Sequence, residues 1–332
     1  MPMTNLVSLF LGAVLATNPV EAASNLLTGK AVSAPPAAVV DPVEEAYQKV
    51  LEFDDASETD IEKWIADAAK FAEAGAGSNN ATLKAKVEQR IAEVDKAYRT
   101  FVEQHPNHAR ARIAYGSYLN DNRDEPGAVK QWEEAKRIDP KLPAVWNNLA
   151  NYYGHRGPVT NAFVHYQKAM DLMPNEPIYP WNYATTVYLF RKDAMEFFSI
   201  SESDVFERAL GLYRLAIKLD PKNFIIRSDY ANSFYGTKPQ RFAEGFVAWK
   251  EALEVARDDV EREGVQIHLA RCKLSIGQFE EAGQHLGLAT NKMYSEIRDR
   301  LARRIERLKS GEEKLPGDRP QLPAIVPDGA KK

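Results

Sequence analysis

An all-α array of repeated helical hairpins is the fold class this sequence predicts, and three observations predict it. Pro106, Pro140 and Pro174 stand 34 residues apart, and the next proline in phase, Pro221, follows after 47. Small residues recur between them in fixed phases. Gly116, Ala150, Ala184, Ala231 and Ala270 form one row, and Ala128, Ala162, Ala209, Gly245 and Ala282 another. Ala135, Ala169, Ala216, Ala252 and Ala289 follow the second row by seven residues. Large apolar residues interleave with these rows: Trp132, Trp146, Leu149, Tyr153, Tyr166, Tyr213, Trp249 and Leu286. Two helices pack closely only where one offers small side chains, and a bulkier residue there overpacks the contact by about 1–3 kcal/mol. Each proline ends a unit, because inside a helix it costs about 3 kcal/mol and removes a donor.

Residues 143–176 read P-A-V-W-N-N-L-A-N-Y-Y-G-H-R-G-P-V-T-N-A-F-V-H-Y-Q-K-A-M-D-L-M-P-N-E. This segment resembles a tetratricopeptide repeat with every signature position filled, by Trp146, Leu149, Ala150, Tyr153, Ala162, Tyr166, Ala169 and Pro174. Residues 109–142 match from Gly116 onward but carry Arg112 where the pattern prefers tryptophan. Residues 177–223 match once an insertion around 191–203 is removed, and residues 224–262 match with longer connections. Residues 263–296 match through Leu269, Ala270, Gly277, Phe279, Ala282, Leu286 and Ala289, ending in Tyr294 instead of proline. The resemblance implies a right-handed helical-hairpin solenoid over 106–296, with an amino-terminal helical cap and a carboxy-terminal capping helix.

Along the chain, residues 1–22 read as a signal peptide. The apolar run Leu6 to Ala16 has the length of a signal core and is too short to span a membrane. Val20 and Ala22 are small residues before a cleavage point at Ala23, although the segment ahead of the run lacks a basic side chain. Export to a periplasmic or secreted location is the expectation, a cytoplasmic chain with an apolar leader the alternative. No transmembrane span is expected once the signal is removed. Residues 23–40, rich in Ala, Ser and Pro, read as a disordered linker. Residues 41–105 predict a helical cap or degenerate repeat in three helical segments, 42–53, 61–74 and 81–104, the second carrying Ile61, Trp64, Ile65, Ala68 and Phe71 at helical spacing. Arrays need such caps to cover their ends. Met293, Ile297, Leu301, Ile305 and Leu308 form the stripe of a closing helix, 297–310, ended by Gly311. The proline-bearing tail 311–332 is expected to be disordered.

Composition limits the chemistry. A net charge of −4 gives no case for nucleic-acid binding. The one cysteine, Cys272, falls on an apolar helix face and reads as a buried thiol. His105 and His108 flank Pro106 without a third metal ligand and read as surface residues. There is no glycine-rich phosphate loop and no nucleophile with a base in a motif. With the array and its caps assigned, no segment is left for a catalytic domain, so neither an enzyme nor a metal or other cofactor is expected.

The resemblance also implies a partner site. In this family the first helix of each unit lines a concave groove that holds an extended peptide or a partner protein. The position two before the small residue is Ala114, Asn148, Asn182, Asp229 and His268, and the position after it is Ser117, Asn151, Thr185, Asn232 and Arg271. These rows resemble the asparagine ladder of superhelical repeats, in which side-chain amides hold a peptide backbone; they are equally consistent with polar residues on a wet helix face. Asn147, Trp181, Tyr188 and Tyr235 complete the candidate groove as neighbours and aromatic anchors. The family's clamp for an acidic chaperone terminus wants lysine three before the small residue. Here that position holds Ile113, Asn147, Trp181, Ser228 and Ile267, so such a clamp is not expected. The alternative is a structural component of an extracytoplasmic complex that uses the array edge and caps, including the inserted Phe197 and Phe198, with the groove empty. The sequence names neither partner nor oligomeric state.

Overall fold

The computed structural model describes residues 41–73 and 80–315, and among these residues every regular element is helical. The expected signal peptide and linker and the gap between the second and third amino-terminal segments lie outside the described residues, as does the tail beyond Leu315. The chain divides into two compact units, residues 1–179 and 180–332.

In the first unit α1 (Pro42–Glu73) packs on α2 (Asn80–Gln104), α3 (Ala109–Asp121) on α4 (Glu125–Ile138), and α5 (Pro143–Arg156) on α6 (Val159–Leu172). The second unit holds α7 (Ile178–Leu189), α8 (Arg191–Phe198), α9 (Glu202–Leu219), α10 (Phe224–Ser233), α11 (Phe242–Leu253), α12 (Asp259–Ser275), α13 (Phe279–Gly287) and α14 (Ser295–Lys309). Consecutive helices from α8 to α14 pack on one another.

The small-residue rows are where helices meet. Ala128, Ala135, Ala150, Ala162, Ala169, Ala184, Ala209, Ala216, Ala252, Ala282 and Ala289 are all fully buried. At Gly116 a Cβ would lie 2.4 Å from the Trp132 indole nitrogen. That nitrogen donates to the Ile113 carbonyl at 3.2 Å, which fixes the ring against the glycine.

The tryptophan missing from the first repeat has a physical replacement. Trp146 Nε1 donates to the carbonyl of Pro140, six residues back, at 2.8 Å. Arg112 Nε makes the same bond to Pro106 at 2.9 Å, and Arg227 Nε to Pro221 at 2.8 Å. Pro106, Pro140 and Pro221 therefore each offer a carbonyl that the fourth position of the next unit satisfies, and arginine donates as well as tryptophan; after Pro174 that position is Pro180, which has no donor. Arginine fills less space, and a cleft of about 1200 Å³ lies beside Arg112 between α2 and α4.

Three expectations are corrected. The amino-terminal segment forms two helices, not three, because α1 runs unbroken through residues 54–60. Nothing there is a helix breaker, and Ser57 and Thr59 bond back to the carbonyls of Phe53 and Asp55. Ile65 and Phe71 on its distal half are exposed, while Trp64 carries the Lys86 ammonium 3.6 Å from its ring centre. His108 is not a surface residue: its Nδ1 accepts from Ala111 N at 3.0 Å and caps α3. Of the closing stripe, Leu301, Ile305 and Leu308 are buried but Met293 is exposed, because a short turn before α14 swings it outward. Gly311 ends α14 at φ +79°, a left-handed conformation that glycine adopts without strain.

The insertion forms α8. Ala194 is fully buried against the unit, and Phe198 lies under the Arg208 guanidinium at 4.0 Å, leaving Phe197 exposed. Ser201 and Asp204 form a reciprocal capping box that restarts the chain as α9.

Candidate functional site

The first helices of the hairpins carry the candidate residues, α3 and α5 in the first unit and α7, α10 and α12 in the second, except Tyr235, which lies in the short 3-10 turn Phe234–Gly236 after α10. The two sets differ in how far they pair with their own surroundings.

In the first unit the polar groups bond one another. Asn148 Nδ2 donates to Ser117 Oγ at 3.2 Å, joining the two candidate rows across adjacent hairpins. Asn147 and Asn148 are buried, and a long 3.5 Å contact links their side chains. Asn151 Oδ1 accepts from the buried Tyr166 hydroxyl at 2.6 Å. These amides satisfy the seam of the array, since an amide donates to one neighbour and accepts from another.

In the second unit the side chains are larger and charged. Trp181 Nε1 donates to Asp229 Oδ2 at 2.8 Å, linking α7 to α10. Thr185 bonds the Tyr213 hydroxyl at 2.9 Å, and the Asn182 carbonyl accepts from Thr186. Burial pushes the Asp229 carboxyl up to about 6, and the Trp181 bond offsets only part of that. Among the described residues no cation forms an ion pair with it. Tyr188 turns inward, against Phe206 at 6.0 Å and the Gly236 turn. Asn232 is partly buried and its side chain makes no hydrogen bond among the described residues.

Tyr235, His268 and Arg271 form a second cluster. The Tyr235 hydroxyl lies 3.2 Å from His268 Nδ1 and 3.3 Å from the His268 carbonyl. His268 stacks on Trp249 with centres 4.0 Å apart, and burial holds its pKa far below the ordinary value, so the ring is neutral. The Arg271 guanidinium sits 4.5 Å from the Tyr235 ring centre, with no ion pair among the described residues. Cys272 is buried beside Tyr235, and burial raises its thiol pKa, as expected of an unreactive thiol.

The sequence rows thus place the candidates on first helices, with Tyr235 just past the end of α10, but do not separate seam from surface. The cleft beside Arg112 was missed altogether, although the departure from tryptophan at that position signals it. Its charged walls pair internally, Arg99 with Asp95, Lys136 with Glu133 and Arg137 with Glu134.

No family model matches the chain. In 138 residues, 41% of the chain, it is 27% identical to an Hsp70-Hsp90 organizing protein of Triticum aestivum, and the match spans only 22% of that protein's length. Among solved structures it superposes on PilW, a type IV pilus biogenesis factor, with a TM-score of 0.51 and 11% identity, covering 73% of this chain and 98% of that one. It also superposes on the carboxy-terminal part of a TPR repeat-containing protein from Cytophaga hutchinsonii, with a TM-score of 0.50 and 13% identity, covering 76% and 97%. The chain has the tetratricopeptide-repeat fold. Among the described residues no helix is long and apolar enough to cross a membrane.

Proposed function

We propose that the chain is a non-enzymatic protein-interaction module whose partner, an extended peptide or a protein segment, lies on the first-helix face of the second unit. The observation that carries this reading is the incompletely paired set on that face. Among the described residues the Asp229 carboxylate has no ion-pair partner, and the Arg271 guanidinium stacks on Tyr235 without one. Charged groups held on a partly buried face without partners carry a desolvation cost that a ligand can offset. Hydrogen bonds alone would not suffice: at about 0.5–1.5 kcal/mol each, four fall short of the roughly 8 kcal/mol of a micromolar complex. Trp181 and Tyr235 supply the aromatic area such a site needs. The likeness to an Hsp70-Hsp90 organizing protein supports an interaction role of this general kind, but the chain lacks the lysines of an acidic-terminus clamp. Export, with action outside the cytoplasm, belongs to the same proposal and rests on the run Leu6 to Ala16.

Exposed Phe197 on α8 favours a second reading, in which the edge of the array makes the contact. Affinity capture from the native source, read by mass spectrometry, separates the two. Loss of the captured partner with Tyr235→Ala/Arg271→Ala but not with Phe197→Ser supports the face; the opposite pattern overturns it in favour of the edge.

A further inference from the structure

We infer that Asp229 and Trp181 form a receptor for a side-chain cation, so that the partner places a lysine or arginine on the first-helix face of the second unit. The inference rests on the face reading above and gives it a chemistry. Asp229 stands two positions before a small residue, where the first repeats carry Ala114 and Asn148. One of its oxygens accepts from the Trp181 indole at 2.8 Å. The other makes no hydrogen bond among the described residues. Both side chains are only partly buried, and the second oxygen is not among the fully buried atoms that lack a hydrogen bond, so it keeps some contact with solvent. The indole beside it offers an apolar wall to the aliphatic stem of a long basic side chain. A single carboxylate has too few donors to hold a metal ion, whereas a charge-assisted hydrogen bond to an ammonium or guanidinium needs only one.

Among the described residues the surroundings supply no cation paired with Asp229. From α9 the interacting titratable group is Tyr213, whose phenol burial keeps protonated. Arg227, on α10 itself, is turned to Glu251 of α11. On α12, His268 is held neutral, and Arg271 is stacked on Tyr235. Burial pushes the Asp229 carboxyl up to about 6, as it does those of Asp54 and Asp121. A bound cation favours the ionised form, so below that pH binding releases a proton from Asp229 and weakens as the pH falls.

The test uses the full chain and three blocked pentapeptides, Ala-Ala-X-Ala-Ala with lysine, glutamate or alanine at X. The readout is the Trp181 indole N–H resonance, assigned by its loss in Trp181→Phe. The lysine peptide is expected to shift it saturably at pH 7.5, at least tenfold more weakly at pH 5 and in Asp229→Asn. The Asp229 carboxyl resonance should also titrate at lower pH when the peptide is saturating, a reading that holds even if Asp229→Asn fails to fold. Equal response to the alanine or glutamate peptide, unchanged affinity in Asp229→Asn, or an unmoved Asp229 titration overturns the cation site. The face reading stands or falls separately, on capture by the Tyr235 and Arg271 variant.

Discussion

The first-helix faces of the two units occupy the same phase of the repeat and are put to different use. In the first unit Ser117, Asn148 and Asn151 bond protein groups, and the polar row is a seam. In the second, Asp229 and Arg271 keep hydrogen-bonding capacity that the described residues of their unit do not satisfy. The difference follows from the side chains. An amide can close a network because it donates and accepts; a carboxylate only accepts and a guanidinium only donates, so each needs an opposite partner. The lesson is that a ladder of asparagines is weak evidence for a ligand, and an unpaired charge in the same row is stronger.

The comparison breaks first at Asp229. Its folded carboxyl titrates near 6, above the ordinary aspartate value, so the folded state binds more protons than the unfolded state between those pH values. Stability from this group is therefore lost as the pH rises through about 4 to 6, by up to about 3 kcal/mol. Asp229→Asn, which keeps an acceptor for Trp181, should unfold at higher urea than the wild type at pH 7.5 and show little difference at pH 4. Equal destabilisation at both pH values would mean that the carboxylate is satisfied. Asp54 and Asp121 in the first unit are also pushed up to about 6 by burial, so a residual dependence of the same sign should persist in the variant.

On the seam side, Asn151→Ala removes the acceptor of the buried Tyr166 hydroxyl and should cost about 1–3 kcal/mol in urea unfolding. Restoring stability with Tyr166→Phe in the same chain would show that the loss lies in the hydroxyl's lost acceptor. Asn148→Ala loses its bond to Ser117 and should cost about 0.5–1.5 kcal/mol, with partner capture unchanged. Loss of capture without loss of stability would turn the first unit's row back into a binding ladder. The smallest effect is expected at Arg112→Trp, within about 1 kcal/mol of the wild type, since the indole keeps the Pro106 bond and fills the neighbouring cleft. Thermal melting measures it.

Most of the fold was legible because the repeat writes itself into residue size. Alanine at 150, 162 and 169 is a packing requirement visible without coordinates, and every one of these residues is fully buried. The continuous α1 was less legible, because a polar stretch such as residues 54–60 shows no apolar periodicity while containing nothing that ends a helix. The site was legible only as a set of positions. Tyr188 shares the phase of a groove residue, yet its ring is taken up by Phe206 and the Gly236 turn. Arg112 looked like a defect in the pattern until its bond to the Pro106 carbonyl showed a tryptophan's duty done by another donor.

The sequence by itself determined the all-α repeat, its 34-residue step, the place of the α8 insertion and the row in which each polar side chain stands. These follow from local rules: proline stops a helix, small residues admit a close neighbour, and phase fixes the face. Only the tertiary structure decided which members of a row are consumed by neighbours. Pairing depends on distances between side chains far apart in sequence, such as the 2.8 Å from Trp181 to Asp229, and no periodicity encodes that separation.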